Sequence, residues 1–468
     1  MRPKAIFFSI LFSTTLLCSQ FNYVQAQTLQ LKEAIDMAVN NYGTLKAKKS
    51  YALASKETVR QNKTEYLPNL SLAAQQDYGT INGQNGPLSV LGGLNAASSG
   101  PALDRQNWNA AFGALYLTNV NWDFYTFGRI REKVKAARAV QRRDEDDLNQ
   151  EIFQHEVRVS SAYLNLLAAQ RLTRSQRNNL ERAIIFKDNA VLRAKNGLIA
   201  GVDTSLAKAE VSNARIALTK SIDLEQQQAN QLGVLIGKNA TSFILDTASV
   251  NHLPKSFIVQ DTTANLTGHP VLRFYKDRVE VSNQQVNYLR RLSYPSISMI
   301  GVFQGRGSGF SSNYALDQSD FTKKYSDGVN PTRANYLIGV GITWNLTSIL
   351  RNSPQVKAQR FISRGLQDEY ELAGQQLQAQ LLLAETKIKN AMDNYQEAPV
   401  QVKAASDAYL QKSTLYKNGL TTLVDLTQAL YTLNRAETDR DIAYTNVWQA
   451  LLLKSAASGD FNLFINEF

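Results

Sequence analysis

The sequence predicts a mostly helical chain that also supplies four short strands to a membrane β-barrel, with the whole pattern occurring twice as tandem repeats. Three observations lead to this fold class. Residue pairs recur at a constant offset along the chain. Strand-length segments have apolar residues at alternate positions. Finally, some helical segments are too long to be buried in one globular core.

Residues 1–26 are predicted to form a secretory signal peptide. Arg2 and Lys4 precede an apolar run from Ala5 to Leu17, and residues 24–26 have the small-residue pattern of a cleavage site. The run is too short for a transmembrane helix, and no later stretch approaches about 20 apolar residues. We therefore expect an exported chain in which any membrane span is made of strands.

Composition argues against several classes of function. The only cysteine, Cys18, lies in the leader, so the mature chain can form neither a disulfide nor a thiolate metal site. Lipidation of Cys18 is an alternative that the bulky Leu17 disfavours. His155, His252 and His269 are not spaced as a helical metal pair, so no metal or other cofactor is expected. The net charge of +11 is spread along the chain, which fits nucleic-acid binding poorly.

The tandem repeat is recognised from similar residues that recur at two constant separations along the chain. An offset of 222 residues pairs Trp122 with Trp344 and holds for about 85 residues, and an offset of 227 pairs Pro68 with Pro295. The change of five falls in two stretches rich in Gly, Ser, Asn and Asp, a composition typical of loops that tolerate insertion. We predict a first repeat over residues 27–250 and a second over residues 251–468.

Two segments, residues 108–122 and 336–344, have the length and alternation of membrane strands, with aromatic residues at the ends of their apolar face. Their predicted partner strands are residues 69–78 and 296–304, each of which follows a proline. The predicted lipid-facing residues are Trp108, Phe112, Tyr116, Trp122, Tyr336, Ile338 and Trp344. A soluble sheet is the alternative. We prefer a membrane barrel, because only four strands are predicted and four strands cannot close a barrel by themselves. Closure of the barrel would therefore require several chains.

Long helices are predicted between the strands. The 68 residues between Gly128 and Gly197 contain neither Gly nor Pro, so a helix there would approach a length of about 100 Å. Two return helices have apolar seams with coiled-coil spacing, formed by Leu423, Leu426, Leu430 and Leu433 and by Ala207, Val211, Ala214 and Leu218. Gly365, Gly374 and Pro399 are expected to interrupt the second long helix, as bends or, at Pro399, as a loop.

An identical tetrapeptide marks the point where each long helix reverses. Lys-Asn-Gly-Leu occupies residues 195–198 and 417–420, and Asn-Gly can adopt the positive φ of a tight helix ending. One such copy alone would indicate a simple hairpin turn. Two copies at a fixed distance from the strands predict a shared tip, the end of the molecule farthest from the membrane.

With these motifs the sequence resembles the TolC-like outer membrane efflux protein family over nearly all of the mature chain. The resemblance lies in residues 31–34 and 67–70 and above all in the tip motifs at 197–203 and 416–420. It implies a homotrimer whose strands form a twelve-stranded barrel in outer-membrane lipid, continued by an α-helical tunnel in the periplasm. It also implies a periplasmic adaptor and an inner-membrane pump as partners, and no enzymatic activity.

The resemblance also implies roles for individual residues. The candidate adaptor contacts at the tip are Asn196, Gly197, Leu198, Asn418, Gly419 and Leu420. Tyr416 and Asp203 match a hydrogen-bonded pair that holds the gate, and Asp425 matches an aspartate that rings the constriction. An Asp425 that only stabilises the start of its helix is the alternative.

Two residues at the tip depart from the best-studied pattern of the family. Thr421 stands where a gate arginine can occur, and Gln428 stands where a second constriction aspartate can occur. We therefore expect a gate that depends on fewer charged contacts.

Two other classes of function are alternatives to this prediction. An enzyme would need the glycine cluster at 305–309 to cradle a phosphate, but no helix is predicted directly after it. An exported structural or adhesive coiled-coil protein, or the periplasmic adaptor itself, is the second rival. An adaptor would need a lipoyl-like β domain and a single helical hairpin, whereas this chain has two copies of helix pairs with amphipathic strands.

Overall fold

The computed structural model describes residues 28–83, 100, 102–238, 242–247, 252–254 and 266–468. The predicted signal peptide and the predicted boundary at residue 250 lie outside the described residues, so the domain limits stay predictions. The elements are α1 (Leu31–Asn41), α2 (Gly43–Thr64), β1 (Asn69–Thr80), β2 (Ala110–Tyr125), α3 (Arg129–Lys195), α4 (Gly201–Ile236), α5 (Pro270–Arg291), β3 (Ser296–Ser308), α6 (Tyr325–Val329), β4 (Arg333–Thr343), α7 (Ser348–Lys417), α8 (Leu423–Ser458) and α9 (Asn462–Ile465).

The four strands form one antiparallel sheet in the order β1-β2-β3-β4. All four predicted strands are present, with β1 and β3 longer at their far ends than predicted. The second strand begins at Ala110, so Trp108 lies just before it. Residues paired across neighbouring strands lie on the same face, and the register therefore assigns every strand residue to one of two faces.

The long helices form two hairpins, α3 with α4 and α7 with α8. Helix α3 has 67 residues and extends for about 100 Å, as the sequence predicts. Helix α7 has 70 residues and a similar length. The predicted leucine seam of α8 is buried along its length. The predicted seam of α4 is buried over a shorter length, because Ala207, Val211 and Ala214 are buried whereas Leu218 is only half-buried.

Helix α7 is continuous through Gly365, Gly374 and Pro399, so the loop considered at Pro399 was wrong, while bends at these residues stay a prediction. A proline inside a helix removes one hydrogen bond and costs about 3 kcal/mol in an exposed helix. Here α7 packs against α8 on both sides of Pro399, through the clusters Ala391, Val447, Ala450 and Ala405, Leu433, Ala436. This packing holds the helix together across the proline.

The largest apolar core lies about midway along the hairpins, where α1, α3, α4, α8 and the C-terminal residues meet. It contains Tyr163, Trp448 and Phe464, all fully buried. The Tyr163 hydroxyl donates to the Leu29 carbonyl at 2.8 Å, which ties the start of the described chain to α3. The core therefore fixes the two hairpins to each other between the sheet and the tips.

Two histidines are buried near this core, and each binds a carbonyl at the end of a return helix. His155 Nε2 lies 3.1 Å from Leu235 O, and His269 Nε2 lies 3.1 Å from Ala456 O. The Nδ1 atom of His269 accepts from Val271 N–H, so its Nε2–H must donate to Ala456. Burial lowers the pKa of both imidazoles, which favours the neutral form that these bonds require.

No helix within the described part of the chain is both long enough and apolar enough to cross a membrane.

Candidate functional site: the hairpin tips and the sheet faces

Both long helices end in the same backbone motif, as the repeated tetrapeptide predicts. Gly197 and Gly419 have φ values of 73° and 75°, a region that L side chains rarely adopt. The Leu198 amide donates to Arg193 O at 2.9 Å, and the Leu420 amide donates to Leu415 O at 2.9 Å. These bonds satisfy carbonyls that the helix ends would otherwise leave free.

Apolar side chains project into solvent from both tips at equivalent positions. Leu198 and Leu420 are 65% and 72% exposed, and Val202 and Val424 are 63% and 65% exposed. The flanking Asn196 and Asn418 are exposed as well. Each tip thus presents a small apolar surface beside a glycine, available for contact with another molecule.

Arg193, which the sequence analysis missed, joins the first tip to the second. Its Nη1 donates to Tyr416 O and, at 3.1 Å, to Lys417 O, both at the C-terminal end of α7. Its guanidinium also lies 5.0 Å from the centre of the Tyr416 ring. The C-terminal end of a helix carries a partial negative charge that favours a nearby cation. The contact with Arg193 therefore stabilises the end of α7 and also links the two hairpins. The second repeat has Leu415 at the position equivalent to Arg193, and this difference between the repeats is the only sequence feature that distinguishes Arg193.

A second arginine links the hairpins further from the tip. Arg182 of α3 makes two hydrogen bonds to the Glu437 carboxylate of α8, at 3.1 and 2.6 Å. Both side chains are largely buried, at 22% and 21% exposure, so water screens the pair only in part. The two hairpins of one chain are therefore held together by polar contacts over the last turns before the tip.

Tyr416 is buried in a small cluster with Phe186, Ala190, Ala207, Leu423 and Leu426. Burial raises the pKa of its phenol, the Arg193 charge opposes this rise, and the nearby Asp203 carboxylate adds to it. The hydroxyl itself has no hydrogen-bond partner. Within the described residues no hydrogen bond joins Tyr416 to Asp203, and a role for this pair at a gate stays a prediction. The packing of Tyr416 between Phe186 and Arg193 holds the ring instead.

Asp425 lies in the first turn of α8 and takes part in a capping box. Its carboxylate accepts from the Thr421 and Thr422 hydroxyls at 2.8 and 2.9 Å, and its own amide donates to the Thr422 hydroxyl at 3.2 Å. Hydrogen bonds from Thr421 and then Thr422 lower the pKa of this exposed carboxyl. Asp425 therefore stabilises the start of α8.

The two faces of the sheet differ in their side chains. One face has the even-numbered residues of β1, β2 and β4 and the odd-numbered residues of β3, among them Tyr116, Trp122, Tyr336 and Ile338. Within the four strands, all charged side chains lie on the opposite face: Asp77, Asp123, Arg306 and Arg333. We call these the apolar face and the charged face. The predicted alternation is confirmed, because the two copies place their apolar residues on one face.

Trp122 and Trp344, which correspond at the 222 offset, have the same anchor. The Trp122 indole donates to Tyr66 O at 2.8 Å, and the Trp344 indole donates to Ser293 O at 3.1 Å. Both acceptors lie in the turn between a short helix and its strand, at the end of the sheet nearest the helices. An indole with its ring exposed and its N–H satisfied suits a membrane interface. Trp108, at the other end, is 81% exposed.

Phe112 departs from the predicted lipid-facing set. The connection between β3 and β4 folds back over the apolar face, and the Tyr325 ring of α6 packs edge-on against Phe112 at 5.2 Å. The Tyr325 hydroxyl donates to Gln76 Oε1 at 2.7 Å. Gly328 approaches so closely that a side chain there would meet Phe112 Cβ at 2.5 Å. Phe112 is therefore half-buried beneath this connection instead of open at the sheet surface.

No group of three or more His, Cys, Asp or Glu side chains in the described ranges is arranged to hold a metal ion. The polar groups found at the tips are hydrogen-bonded helix caps and links between helices.

Comparisons with known proteins agree with this architecture. Residues 34–238 match the family described as outer membrane efflux protein. No curated protein matches the chain. The fold is similar to that of the outer membrane protein VceC from Vibrio cholerae, with 17% identity, a TM-score of 0.71, and coverage of 92% of this chain and 96% of that one.

Two further solved structures are similar over the same share of this chain. The CmeC outer membrane channel of Campylobacter jejuni has 14% identity and a TM-score of 0.73, with coverage of 92% of this chain and 85% of that one. The open-state MtrE outer membrane channel of Neisseria gonorrhoeae has 16% identity and a TM-score of 0.69, with coverage of 92% and 89%. Residues 34–238 thus match a family model of outer membrane efflux proteins, and over 92% of its length the chain has the fold of solved outer-membrane channels.

Proposed function

We propose that three copies of the chain form an exit duct that passively conducts solutes across the outer membrane, from a periplasmic adaptor and an inner-membrane pump to the exterior. The system would be a tripartite efflux pump or a type I secretion system. The observation that carries the proposal is a four-stranded sheet with one apolar face and two unpaired edges, joined to helical hairpins about 100 Å long.

The sheet supports assembly because it is incomplete in one chain. Strands β1 and β4 are its outer strands, and each has one edge without a neighbouring strand within the described residues. Unpaired backbone groups are not tolerated in lipid, so the edge of β4 must pair with β1 of another copy. Three copies of four strands make a twelve-stranded barrel, with the apolar face toward lipid and the charged face toward the lumen.

The tips support adaptor binding. Gly197 and Gly419 leave the backbone uncovered, and the neighbouring Leu198 and Leu420 are exposed. A helical hairpin from an adaptor could place apolar residues against these leucines and approach the glycines closely. Leu198→Asp combined with Leu420→Asp should abolish export in cells while the trimer and its single-channel current stay normal. Normal export by this variant would contradict adaptor docking here.

The gate is proposed to lie where the tips converge, with Arg193, Tyr416, Asp203 and Asp425 as its residues. Three exposed Asp425 carboxylates around a narrow lumen would attract cations. Asp425→Ala should raise the single-channel current in planar bilayers and weaken block by hexamminecobalt. Asp317→Ala, which removes an exposed carboxylate from the connection between β3 and β4, far from the tips, is the matched control. Unchanged block in Asp425→Ala would exclude Asp425 from the pore.

The main test of the proposal is fractionation followed by reconstitution. We expect the mature protein in the outer membrane, with a band of trimer size that heating converts to the monomer, and discrete current steps in planar bilayers. A protein released with the soluble periplasm, monomeric before heating, would instead favour an adaptor or an adhesive coiled-coil protein.

A further inference from the structure

On the charged face, two arginines lie directly opposite each other near the end of the sheet away from the helices. The register pairs Arg306 of β3 with Arg333, the first residue of β4. Opposed side chains of an antiparallel pair have Cβ atoms about 4.5–5.5 Å apart, and like charges at this distance destabilise the sheet. Such a pair is unexpected unless something negative lies between the two guanidinium groups.

Among the described residues, nothing neutralises either guanidinium group. No hydrogen bond or ion pair joins the Arg306 or Arg333 side chain to any other residue of the described ranges, and both side chains are exposed. The same row across the sheet contains Gln75 and Leu115, which have no charge. Asp77 lies two residues further along β1, on the far side of β2, and accepts a hydrogen bond from Gln75 at 2.9 Å.

The space in front of the two arginines is open. The connection between β3 and β4 covers the other face at this level, because Pro331 and Asn330 lie where side chains at Gly305 and Gly307 would project. Residues 305 and 307 flank Arg306 and point to the apolar face, while Arg306 points to the charged face. The fold thus closes one side of the sheet here and leaves the arginines free on the other.

We infer that Arg306 and Arg333 form a binding site for multivalent anions, with phosphate or carboxylate groups, at the outer mouth of the duct. The inference rests on the proposed function, because it needs the charged face to line the lumen. Guanidinium groups bind such oxyanions through two parallel hydrogen bonds. Three copies of the pair would form a ring of six positive charges, which raises the local concentration of anions and opposes the passage of cations.

The test compares two double variants that remove the same charge. Arg306→Gln with Arg333→Gln removes the pair, and Lys323→Gln with Lys324→Gln removes two exposed charges from the connection on the apolar side. Each is measured for its reversal potential in a KCl gradient and for block by inorganic tripolyphosphate added from the outer side. Binding of tripolyphosphate to the detergent-solubilised protein is measured by calorimetry.

We expect the arginine variant to shift the reversal potential toward that of potassium and to bind tripolyphosphate about tenfold more weakly, since several charge-assisted bonds are lost. The lysine variant should match the wild type. Equal behaviour of the arginine variant and the wild type, or an equal loss in both variants, would overturn the inference. So would loss of the trimer in Arg333→Gln alone, which would indicate that Arg333 pairs with a neighbouring chain's carboxylate.

Calorimetry separates this inference from the proposed function. A wild-type protein without current steps would contradict the exit duct, while specific binding of tripolyphosphate that depends on both arginines would still support the anion site. A conducting wild type without binding would contradict the anion site alone. The heat-modifiable trimer band confirms that each variant is assembled.

Discussion

The two hairpin tips have the same backbone path but are stabilised by different side chains. Both end their long helix with a glycine at positive φ, and both begin the return helix from an extended residue, Ala200 or Thr422. The second tip closes a capping box between Thr422 and Asp425. The first tip has Asp203 at the equivalent place but has no side-chain cap, because Ala200 lacks a hydroxyl.

The first tip has a different stabilising contact, since its Arg193 reaches across to the end of α7. The second tip is thus capped by its own residues and by Arg193, whereas the first depends on its contacts with the second. This difference indicates that the second tip is the more rigid element.

Arg193→Ala should have the largest effect. It removes two hydrogen bonds from a charged donor and a contact with an aromatic ring, and we expect the end of α7 to lose about 2 kcal/mol of local stability. Amide hydrogen exchange across residues 416–420 should accelerate accordingly, and the open fraction in planar bilayers should rise. Leu415→Ala, at the equivalent place in the other tip, is the control. Unchanged exchange in Arg193→Ala would show that the arginine does not hold the tips together.

Substitution of the tip glycines should rank next. Ala at Gly197 or Gly419 forces an L residue to adopt positive φ, at a cost of about 1–2 kcal/mol. Neither added Cβ would meet a neighbour closer than 3.7 Å, so we expect similar losses at both tips by hydrogen exchange. Larger side chains at either position should abolish export and leave the trimer intact. Loss of the trimer would mean that these glycines are only structural.

Thr422→Ala should cost the second tip about 1 kcal/mol, because the amide of Asp425 loses its acceptor. Thr422→Ser keeps the hydroxyl and should retain most of that stability. Hydrogen exchange of the first turn of α8 measures both variants. Equal exchange rates in the alanine and serine variants would contradict a stabilising role for the capping box.

Ala200→Thr tests whether a capping box can be added to the first tip, where none is present. The backbone at Ala200 (φ −70°, ψ 150°) is close to that at Thr422 (φ −84°, ψ 161°), and Asp203 already occupies the place that completes a capping box. The first tip should therefore gain about 0.5–1 kcal/mol, measured as slower exchange at the start of α4. Ala200→Val, which has a similar shape without a hydroxyl, should bring no gain. A gain of equal size in the valine variant would exclude capping as the cause.

The smallest effect is a pH dependence of the second tip. The folded-state pKa of Asp425 lies below its ordinary value of 3.8, so its contribution to stability is complete above that pH and is lost as the pH falls through the folded pKa. Exchange at the start of α8 should therefore accelerate below about pH 4 after correction for the intrinsic rate. Thr422→Ala should reduce this dependence. A profile that Thr422→Ala leaves unchanged would assign the dependence to another group.

The elements of the fold were predictable because each leaves a local pattern. Alternation identified four strands, and the absence of Gly and Pro over 68 residues identified a helix of 67 residues. The tetrapeptide predicted both helix endings, since positive φ is a property of glycine itself. The loop considered at Pro399 was wrong, because packing of α7 against α8 on both sides of the proline offsets the local cost of the missing hydrogen bond.

The contacts at the candidate site were less predictable. Arg193 and Tyr416 are 223 residues apart, and nothing local distinguishes Arg193 from the other arginines of a long helix. The resemblance suggested a bond from Tyr416 to Asp203, but the packing of the ring leaves its hydroxyl without a partner. Phe112 followed the alternation of its strand, yet a connection more than 200 residues later in the chain covers it.

The residue pattern alone was enough to establish that this chain has four amphipathic strands and two long hairpins, because periodicity and backbone preference act over a few neighbouring residues. Which side chains meet between the hairpins and across the sheet depended on how distant segments pack. Arg193 reaches the end of α7, and Arg306 faces Arg333, because helix pairing and strand register bring them together. Contacts between residues far apart in sequence arise from that packing, so no local signal predicts them.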